Sequence, residues 1–399
     1  MKITGIIVEY NPFHNGHLYQ IETIKSELNS DYIIVIMSGN FSQRGTPCIV
    51  DKFIRTKMAL SLGVDMVLEL PTIYATASSE FFAQGAVCSF IKSNIVDSIC
   101  FGSEQAEISI LDKISTVLND EPSEYKLNLK QNMQQGLSFA QARSNALVKY
   151  LTEYSSDYVV NFLKQPNNIL SIEYFKALKK YNSTIKPMPI ERKISNYHDT
   201  EVYSHFASAT AIRQALLDDD IVSLELGMPK ISLDYLRSVD AYPNIEELFP
   251  LLSYKLISNP KEHLYNIFDI NSKLINSIYN ALPNAKSYNE FIEMLTSKTF
   301  SRATIYRSLL RILFDTYTLT EINYIRVLGV NKQSTKLLSL LNENSSVPII
   351  CNVNKDIKKL DTLSKKMFET DIFATNLYHL TRKQPNLYNQ DFTTPFIVL

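Results

Sequence analysis

The sequence predicts an α/β protein, a doubly wound parallel sheet followed by a mainly α-helical C-terminal part. Three observations lead there. Short apolar, β-branched runs recur at Ile3–Val8, 32–37, 65–70 and 97–101, the signature of strands buried on both faces. Segments with helical apolar spacing lie between them, giving βαβαβαβ to about residue 102. Past about residue 220 the alternation disappears, and Pro243, Pro250 and Pro260 punctuate helical sequence rich in Leu, Ile and Tyr.

The first strand, Ile3–Val8, runs into Asn11-Pro12, where the pre-proline restriction delays a helix. After Asn15 the apolar positions Leu18, Ile21, Ile24 and Leu28 share one helical face. His14-Asn15-Gly16-His17 therefore stands at a helix mouth, at the carboxyl end of a strand. Backbone N–H groups and the positive end of the helix dipole gather there. Gly16 leaves room for a nucleotide, and His14 and His17, three apart, can both donate to phosphoryl oxygens. A capped helix with two solvated histidines is the competing reading.

The strand 32–37 leads to a polar loop over 38–47, which a right-handed βαβ connection brings to the same sheet edge. Asn40, Gln43 and Arg44 in that loop are candidate ligands for a carboxylate or for phosphates, Arg44 with bidentate geometry, against the competing reading of a solvated connector. Residues 51–62 read as a helix with Lys52, Arg55 and Lys57 on its polar side, ended by Gly63. A third strand over 65–70 stops at Pro71, and a helix over 78–93 carries a broad apolar face. The fourth strand, 97–101, is followed directly by Gly102, which permits close ligand approach.

Residues 107–181 are mainly helical, with a turn at Pro166-Asn167-Asn168 before a helix over 172–180. Asn167 offers an amide for a base or ribose, or serves only as a turn residue or cap. A fifth strand over 185–190 contains Pro187 and Pro189, which suit an edge, and Arg192 follows it. Ser208 or Thr210 caps a helix continuing to Leu217, with Arg213 one turn in, which makes either an ordinary capped helix or a second anion cradle paired with the His14/His17 mouth. Within 291–340 there are seven basic side chains against three acidic ones, and Arg302, Arg307 and Arg311 are spaced to form one basic stripe for RNA phosphates, with a solvated helix face as the competing reading.

The bulk numbers set limits on this reading. At 399 residues, with 45% hydrophobic and 20% charged side chains, the chain has the composition of a soluble globular protein. A net charge of −1 gives no global pull toward nucleic acid, so RNA contact depends on local patches. No run reaches membrane-spanning length and no signal-type leader is visible. Cys48, Cys88, Cys100 and Cys351 show no C-x-x-C spacing, so neither zinc site nor disulfide framework is expected. The expectation is a cytoplasmic protein.

His14-Asn15-Gly16-His17 together with Ser208-Ala209-Thr210-Ala211-Ile212-Arg213 resembles the H-x-G-H nucleotidyltransferase superfamily. Five further ordered blocks narrow the resemblance: Val8 to His17, Met37 to Gly45, Leu68 to Pro71, Cys100 to Glu104, and Pro166 to Leu170. They are similar to the tRNA(Met) cytidine acetate ligase family, and Arg326-Val327-Leu328-Gly329 fits it more weakly. The resemblance implies a HUP/Rossmann-like nucleotidyltransferase domain over 1–220, with a helical insertion around 107–181. A mainly helical tRNA-binding domain would follow over 221–399. It implies that ATP and acetate form acetyl-adenylate and pyrophosphate. The acetyl group then passes to N4 of the wobble cytidine of elongator tRNA(Met).

The implied ATP contacts are Ile7, Val8, Glu9, Tyr10, Asn11, Pro12, Phe13, His14, Asn15, Gly16, His17, Leu18, Tyr19 and Gln20, with Gly102, Asn167 and Arg192. His14 and His17 would stabilise the transition state while Ser208, Thr210 and Arg213 hold the departing pyrophosphate. Any Mg²⁺ would arrive with ATP, since no acidic pair or His/Cys cluster supplies a cage. The partners implied are acetate and elongator tRNA(Met), with neither membrane nor DNA. Two other readings stay open: a small-molecule adenylyltransferase of the same superfamily, and a non-catalytic nucleotide-sensing RNA-binding protein.

Overall fold

In the computed structural model, which describes residues 1–192, 205–384 and 387–399, the strands form one mixed sheet. Five strands run parallel: β1 (Ile3–Val8), β2 (Tyr32–Ser38), β3 (Met66–Leu70), β4 (Ser98–Ser103) and β5 (Lys186–Glu191). Their order, β5-β4-β1-β2-β3, reverses at β1. Sequential connections leave β1 in opposite directions there, and the crevice between the carboxyl ends of β1 and β4 is the switch point at which open α/β sheets bind ligands.

Local chemistry explains the helices that flank it. Helix α1 (Asn15–Ser26) begins after His14, whose Nδ1 accepts from the Gly16 N–H at 3.1 Å. Helix α2 (Lys52–Ser61) begins after Asp51, which accepts from Phe53 and Ile54 at 3.0 and 2.9 Å. A short turn, α3 (Thr72–Ala75), and α4 (Ser79–Ser93) connect β3 to β4. Then come α5 (Ile108–Asp120), α6 (Ser123–Gln134), α7 (Phe139–Val148), α8 (Ser156–Phe162) and α9 (Pro166–Lys180), which form the helical insertion. Helix α10 (Ala209–Leu217) starts at Ser208, whose Oγ accepts from the Ala211 N–H at 3.0 Å.

Alternating side chains send β1 and its neighbours into two cores. Ile3, Ile7, Ile34 and Ile36 pack against α4, α5 and α9, while Ile6, Val8, Ile33 and Val35 pack against α1, α2 and α10. A third core lies among helices after residue 247 and includes Leu252, Ile278, Phe291 and Leu309.

Four expectations change. The strand pattern does not end near residue 220: β6 (Ile325–Val330) pairs antiparallel with β3, and β7 (Ile349–Ile350) and β8 (Ile397–Val398) pair parallel with β6. Gly102 lies inside β4 rather than after it, opposite Ile190. Asn167 belongs to the first turn of α9, which starts at Pro166, a position where the missing N–H costs nothing. Lys52 and Arg55 are fully buried. The ammonium of Lys52 pairs with Glu69 and Asp391, both at 2.7 Å, and Arg326 reaches the same carboxylates from β6 at 3.2 and 2.5 Å. The guanidinium of Arg55 collects the carbonyls of Glu9, Ser38, Gly39 and Val50, pinning the ends of β1 and β2.

Candidate active site

A cavity of about 320 Å³ opens at the β1/β4 switch point. Its wall takes residues from several separate parts of the chain. The strand end and helix mouth contribute Ile7, Val8, Glu9, Tyr10, Asn11, His14, His17 and Gln20. The loop after β2 contributes Gln43 and Arg44, β4 contributes Gly102, and α9 contributes Asn167. The residue after β5, Arg192, and the second helix mouth, with Ser208, Thr210 and Arg213, close the ring.

The two histidines are set by the backbone. His14 Nδ1 accepts from Gly16 N–H, and His17 Nδ1 accepts from the His14 N–H at 3.2 Å. Each Nδ1 is therefore a lone-pair acceptor, which leaves the proton of each neutral ring on Nε2. The rings stack with centroids 3.7 Å apart. Burial pushes the His14 imidazolium down to about 3, with Arg192 and Arg213 adding to the effect. Burial, then His14 and Arg192, holds His17 well below its usual range. Both rings are thus neutral Nε2–H donors beside fixed guanidinium cations, an arrangement suited to phosphoryl oxygens. The Gly16 amide at the helix mouth is taken by the His14 cap.

Asn11 is the joint of the site. Its side-chain oxygen accepts from the Ile49 N–H at 2.8 Å, and its carbonyl accepts from Arg213 Nη1 at 2.7 Å. Arg213 Nη2 also donates to Thr210 Oγ1 at 3.2 Å. Tyr10, just before, takes a φ of 47°, a left-handed conformation rare for a bulky side chain, which turns the chain away from β1 toward the α1 mouth. On the opposite wall the absence of a Cβ at Gly102 matters, since one there would stand 3.0 Å from Arg192 Cγ. Asn167 Nδ2 donates to Glu104 Oε1 at 2.6 Å. The neighbouring Asn168 is buried, accepting from Ser103 and the Gln105 N–H at 2.6 and 3.1 Å, so Asn167 is the one that faces the cavity.

The loop after β2 is no solvated connector. Phe41 inserts into the third core, 5.6 Å from the Phe314 ring and 6.3 Å from Tyr378. Gly45, at φ 85°, lies so close to the helix Arg302–Phe314 that a Cβ would meet Arg307 N at 2.6 Å. Gln43 and Arg44 are thereby held at the cavity by the C-terminal helices. Asn40, expected beside them, is turned away: it is buried, and its Oδ1 accepts from the Lys52 N–H at 2.7 Å, helping to start α2.

Other expected contacts also stand off the cavity wall. Phe13 is core, and Asn15 Nδ2 donates to the carbonyls of His205 and Leu226 at 3.0 and 2.8 Å. Pro12, Gly16, Leu18 and Tyr19 are not among the lining residues. The basic stripe is broken. Arg302 is exposed and Arg307 half-buried, but Arg311 is buried and paired to Asp269 at 2.8 Å, its helix having turned that face inward. Ser42, Thr46, Ser79, Phe82, Phe101, Leu170 and Tyr174 line the cavity without having been singled out in the sequence. The helical spacing of Leu170 and Tyr174 on α9 was the available signal.

Among the described residues no three metal-ligating side chains stand together. No helix among them is long and apolar enough to cross a membrane.

Residues 1–392 match the family model described as HIGH nucleotidyl transferase. A tRNA(Met) cytidine acetate ligase from a Thermoanaerobacter species is 41% identical over 409 residues, covering all of both chains. One from Acetivibrio thermocellus is 38% identical over 417 residues, again over both full lengths. Among solved structures, Thermotoga maritima TmcAL without ligand superposes with a TM-score of 0.93 at 30% identity over the full length of each chain. The same protein bound with alpha-thio ATP gives 0.91, also at 30% identity and full coverage.

Proposed function

Because the chain belongs to the HIGH nucleotidyl transferase family, and within it to the tRNA(Met) cytidine acetate ligases, we propose that it acetylates N4 of the wobble cytidine of elongator tRNA(Met), using ATP and acetate. The observation that carries this reading is the meeting of both helix mouths, His14 and His17 on one side and Arg213 on the other, around one cavity at the switch point.

ATP lies across the carboxyl ends of β1 and β4, along the stretch from Ile7 to Gln20, with further contacts from Gly102, Asn167 and Arg192. Acetate attacks the α-phosphorus in line with departing pyrophosphate. The Nε2–H groups of His14 and His17 stabilise the charge that builds on the phosphoryl oxygens. Ser208, Thr210 and Arg213 hold the pyrophosphate. Positioning and charge neutralisation supply most of the acceleration, as is general in such transfers. No resident metal cage forms among the described residues, so Mg²⁺ would ride in on the triphosphate. In the second step cytosine N4 attacks the acetyl carbonyl and AMP leaves.

Residues 1–220 carry the chemistry in this reading, with the helical insertion around 107–181, and 221–399 hold the tRNA. Arg302 and Arg307 contact its phosphates, while Arg311 supports their helix from inside. The reaction belongs in the cytoplasm, where tRNA is modified.

Pyrophosphate exchange into ATP, measured with and without acetate, tests the first step. Acetate-dependent exchange is expected, together with N4-acetylcytidine in a tRNA(Met) transcript. Exchange that ignores acetate would overturn the reading in favour of a small-molecule adenylyltransferase, and no exchange at all would favour a nucleotide sensor.

A further inference from the structure

Transfer of an acetyl group from acetyl-adenylate to cytosine N4 has to dispose of a proton. The N4 lone pair forms a bond to the carbonyl carbon, the bond from that carbon to the AMP oxygen breaks with its electron pair leaving on AMP, and N4 sheds one hydrogen. His14 and His17 are poorly suited to take it, since burial, with Arg192 beside both, disfavours their charged forms. Among the described residues lining the cavity, Glu9 is the only carboxylate.

Its placement is specific. Glu9 follows the last residue of β1, at the switch point itself. Arg55 Nη1 holds its carbonyl at 2.7 Å. Its Oε1 accepts from the Gln43 N–H at 2.5 Å, and no described residue donates a hydrogen bond to Oε2. One oxygen is thus held, while the other has no described donor, on a side chain that lines the cavity. The remaining charged side chains on the wall, apart from the histidines, are Arg44, Arg192 and Arg213, as expected where a triphosphate binds. A carboxylate is misplaced beside phosphates but suits an amine that donates and then loses a proton. It stands next to the loop that carries Gln43 and Arg44, which the C-terminal helices hold in place.

Resting on the acetate-ligase reading above, we infer that Glu9 is the general base of the second step, its Oε2 taking the proton from cytosine N4. The competing role is a structural one, in which Glu9 only pins the Gln43 loop. Glu9→Gln separates the two, because it keeps an oxygen for the Gln43 N–H and removes the base. Glu9→Ala removes both. The measurements are single-turnover acetyl transfer from preformed acetyl-adenylate to a tRNA(Met) transcript, and acetate-dependent pyrophosphate exchange.

Both variants are expected to slow transfer by about 10²-fold or more, and by at least about tenfold more than they slow exchange. Glu9→Gln transferring at the unmutated rate while Glu9→Ala fails would reduce Glu9 to a pin and overturn the inference. Equal losses in exchange and transfer would overturn it too, assigning Glu9 to ATP binding. If the acetate-ligase reading itself were wrong, the unmutated chain would fail to acetylate the transcript, so the two failures are told apart in one assay.

Discussion

Arg213 and Asn11, 202 positions apart, are joined by a 2.7 Å hydrogen bond from the guanidinium Nη1 to the main-chain carbonyl. The bond ties the mouth of α10 to the turn that leads into α1, and so sets the distance between the two anion-binding ends. Arg213→Ala should therefore remove a cation and loosen both mouths, lowering acetate-dependent exchange by about 10²–10³-fold. Arg213→Lys keeps the charge but cannot reach Asn11 O and Thr210 Oγ1 together, and should recover only part of that loss. Exchange rates of the two variants check this; near-normal activity in Arg213→Lys would show that charge alone suffices.

His14 has two separable roles, cap and phosphate donor. Loss of the cap in His14→Ala should cost about 1 kcal/mol of stability, whereas His14→Asn replaces the acceptor for Gly16 N–H and should restore it. Neither variant should form acetyl-adenylate at an appreciable rate, and neither should His17→Ala. Denaturation midpoints read alongside exchange rates distinguish the roles.

The same imidazole makes stability depend on pH in a defined direction. In the unfolded chain His14 binds a proton near its ordinary 6.5, whereas in the folded protein burial pushes this down to about 3. Between those values the unfolded state holds more protons, so stability is fully present above about 6.5 and is lost as the pH falls toward 3. Urea midpoints across that range should drop with acid in the unmutated protein and drop less in His14→Asn. An identical slope in both would remove His14 from the linkage.

The Lys52–Glu69–Asp391–Arg326 cluster is buried throughout, so removing one charge strands its partners. Lys52→Met should destabilise the protein by about 3–5 kcal/mol. The double variant Lys52→Met with Glu69→Leu should recover part of it, because it strands less charge. Additive losses in chemical denaturation would argue against a shared network.

Arg302 and Arg307 should separate from Arg311 in solution. Alanine at the first two should weaken tRNA binding and flatten its dependence on salt, with little change in stability. Arg311→Ala should instead lower stability, since it leaves Asp269 unpaired and opens a gap in a buried helix face. Filter binding over a salt series, with thermal unfolding of each variant, checks both expectations.

The parallel half of the sheet was readable because buried strands are continuous apolar runs, and because a helix mouth follows β1 directly. The cavity wall was legible where motif and geometry coincide, at His14, His17, Gly102, Asn167, Arg192 and Arg213. It was not legible where a side chain's role depends on a partner far along the chain. Lys52 and Arg55 look like the wet side of an amphipathic helix. Only the arrival of Glu69, Asp391 and the strand-end carbonyls makes them interior. Asn40 looks like a ligand but serves as a backbone acceptor for the next helix. Arg311 sits on a helix whose periodicity alone leaves the wet face undecided. Strand β6 was missed because residues 325–330 lie among helices and gain their place by pairing with β3 across more than half the chain.

That last pairing bears on how the protein is made. Until Ile325–Val330 leaves the ribosome, β3 presents a bare row of amide and carbonyl groups to its surroundings, an invitation to the wrong neighbour. The newborn N-terminal half must wait, or be chaperoned, for its edge to be covered. A fragment stopped at residue 220 would stay permanently in that condition, sticky and without the clasp between Glu69 and Arg326.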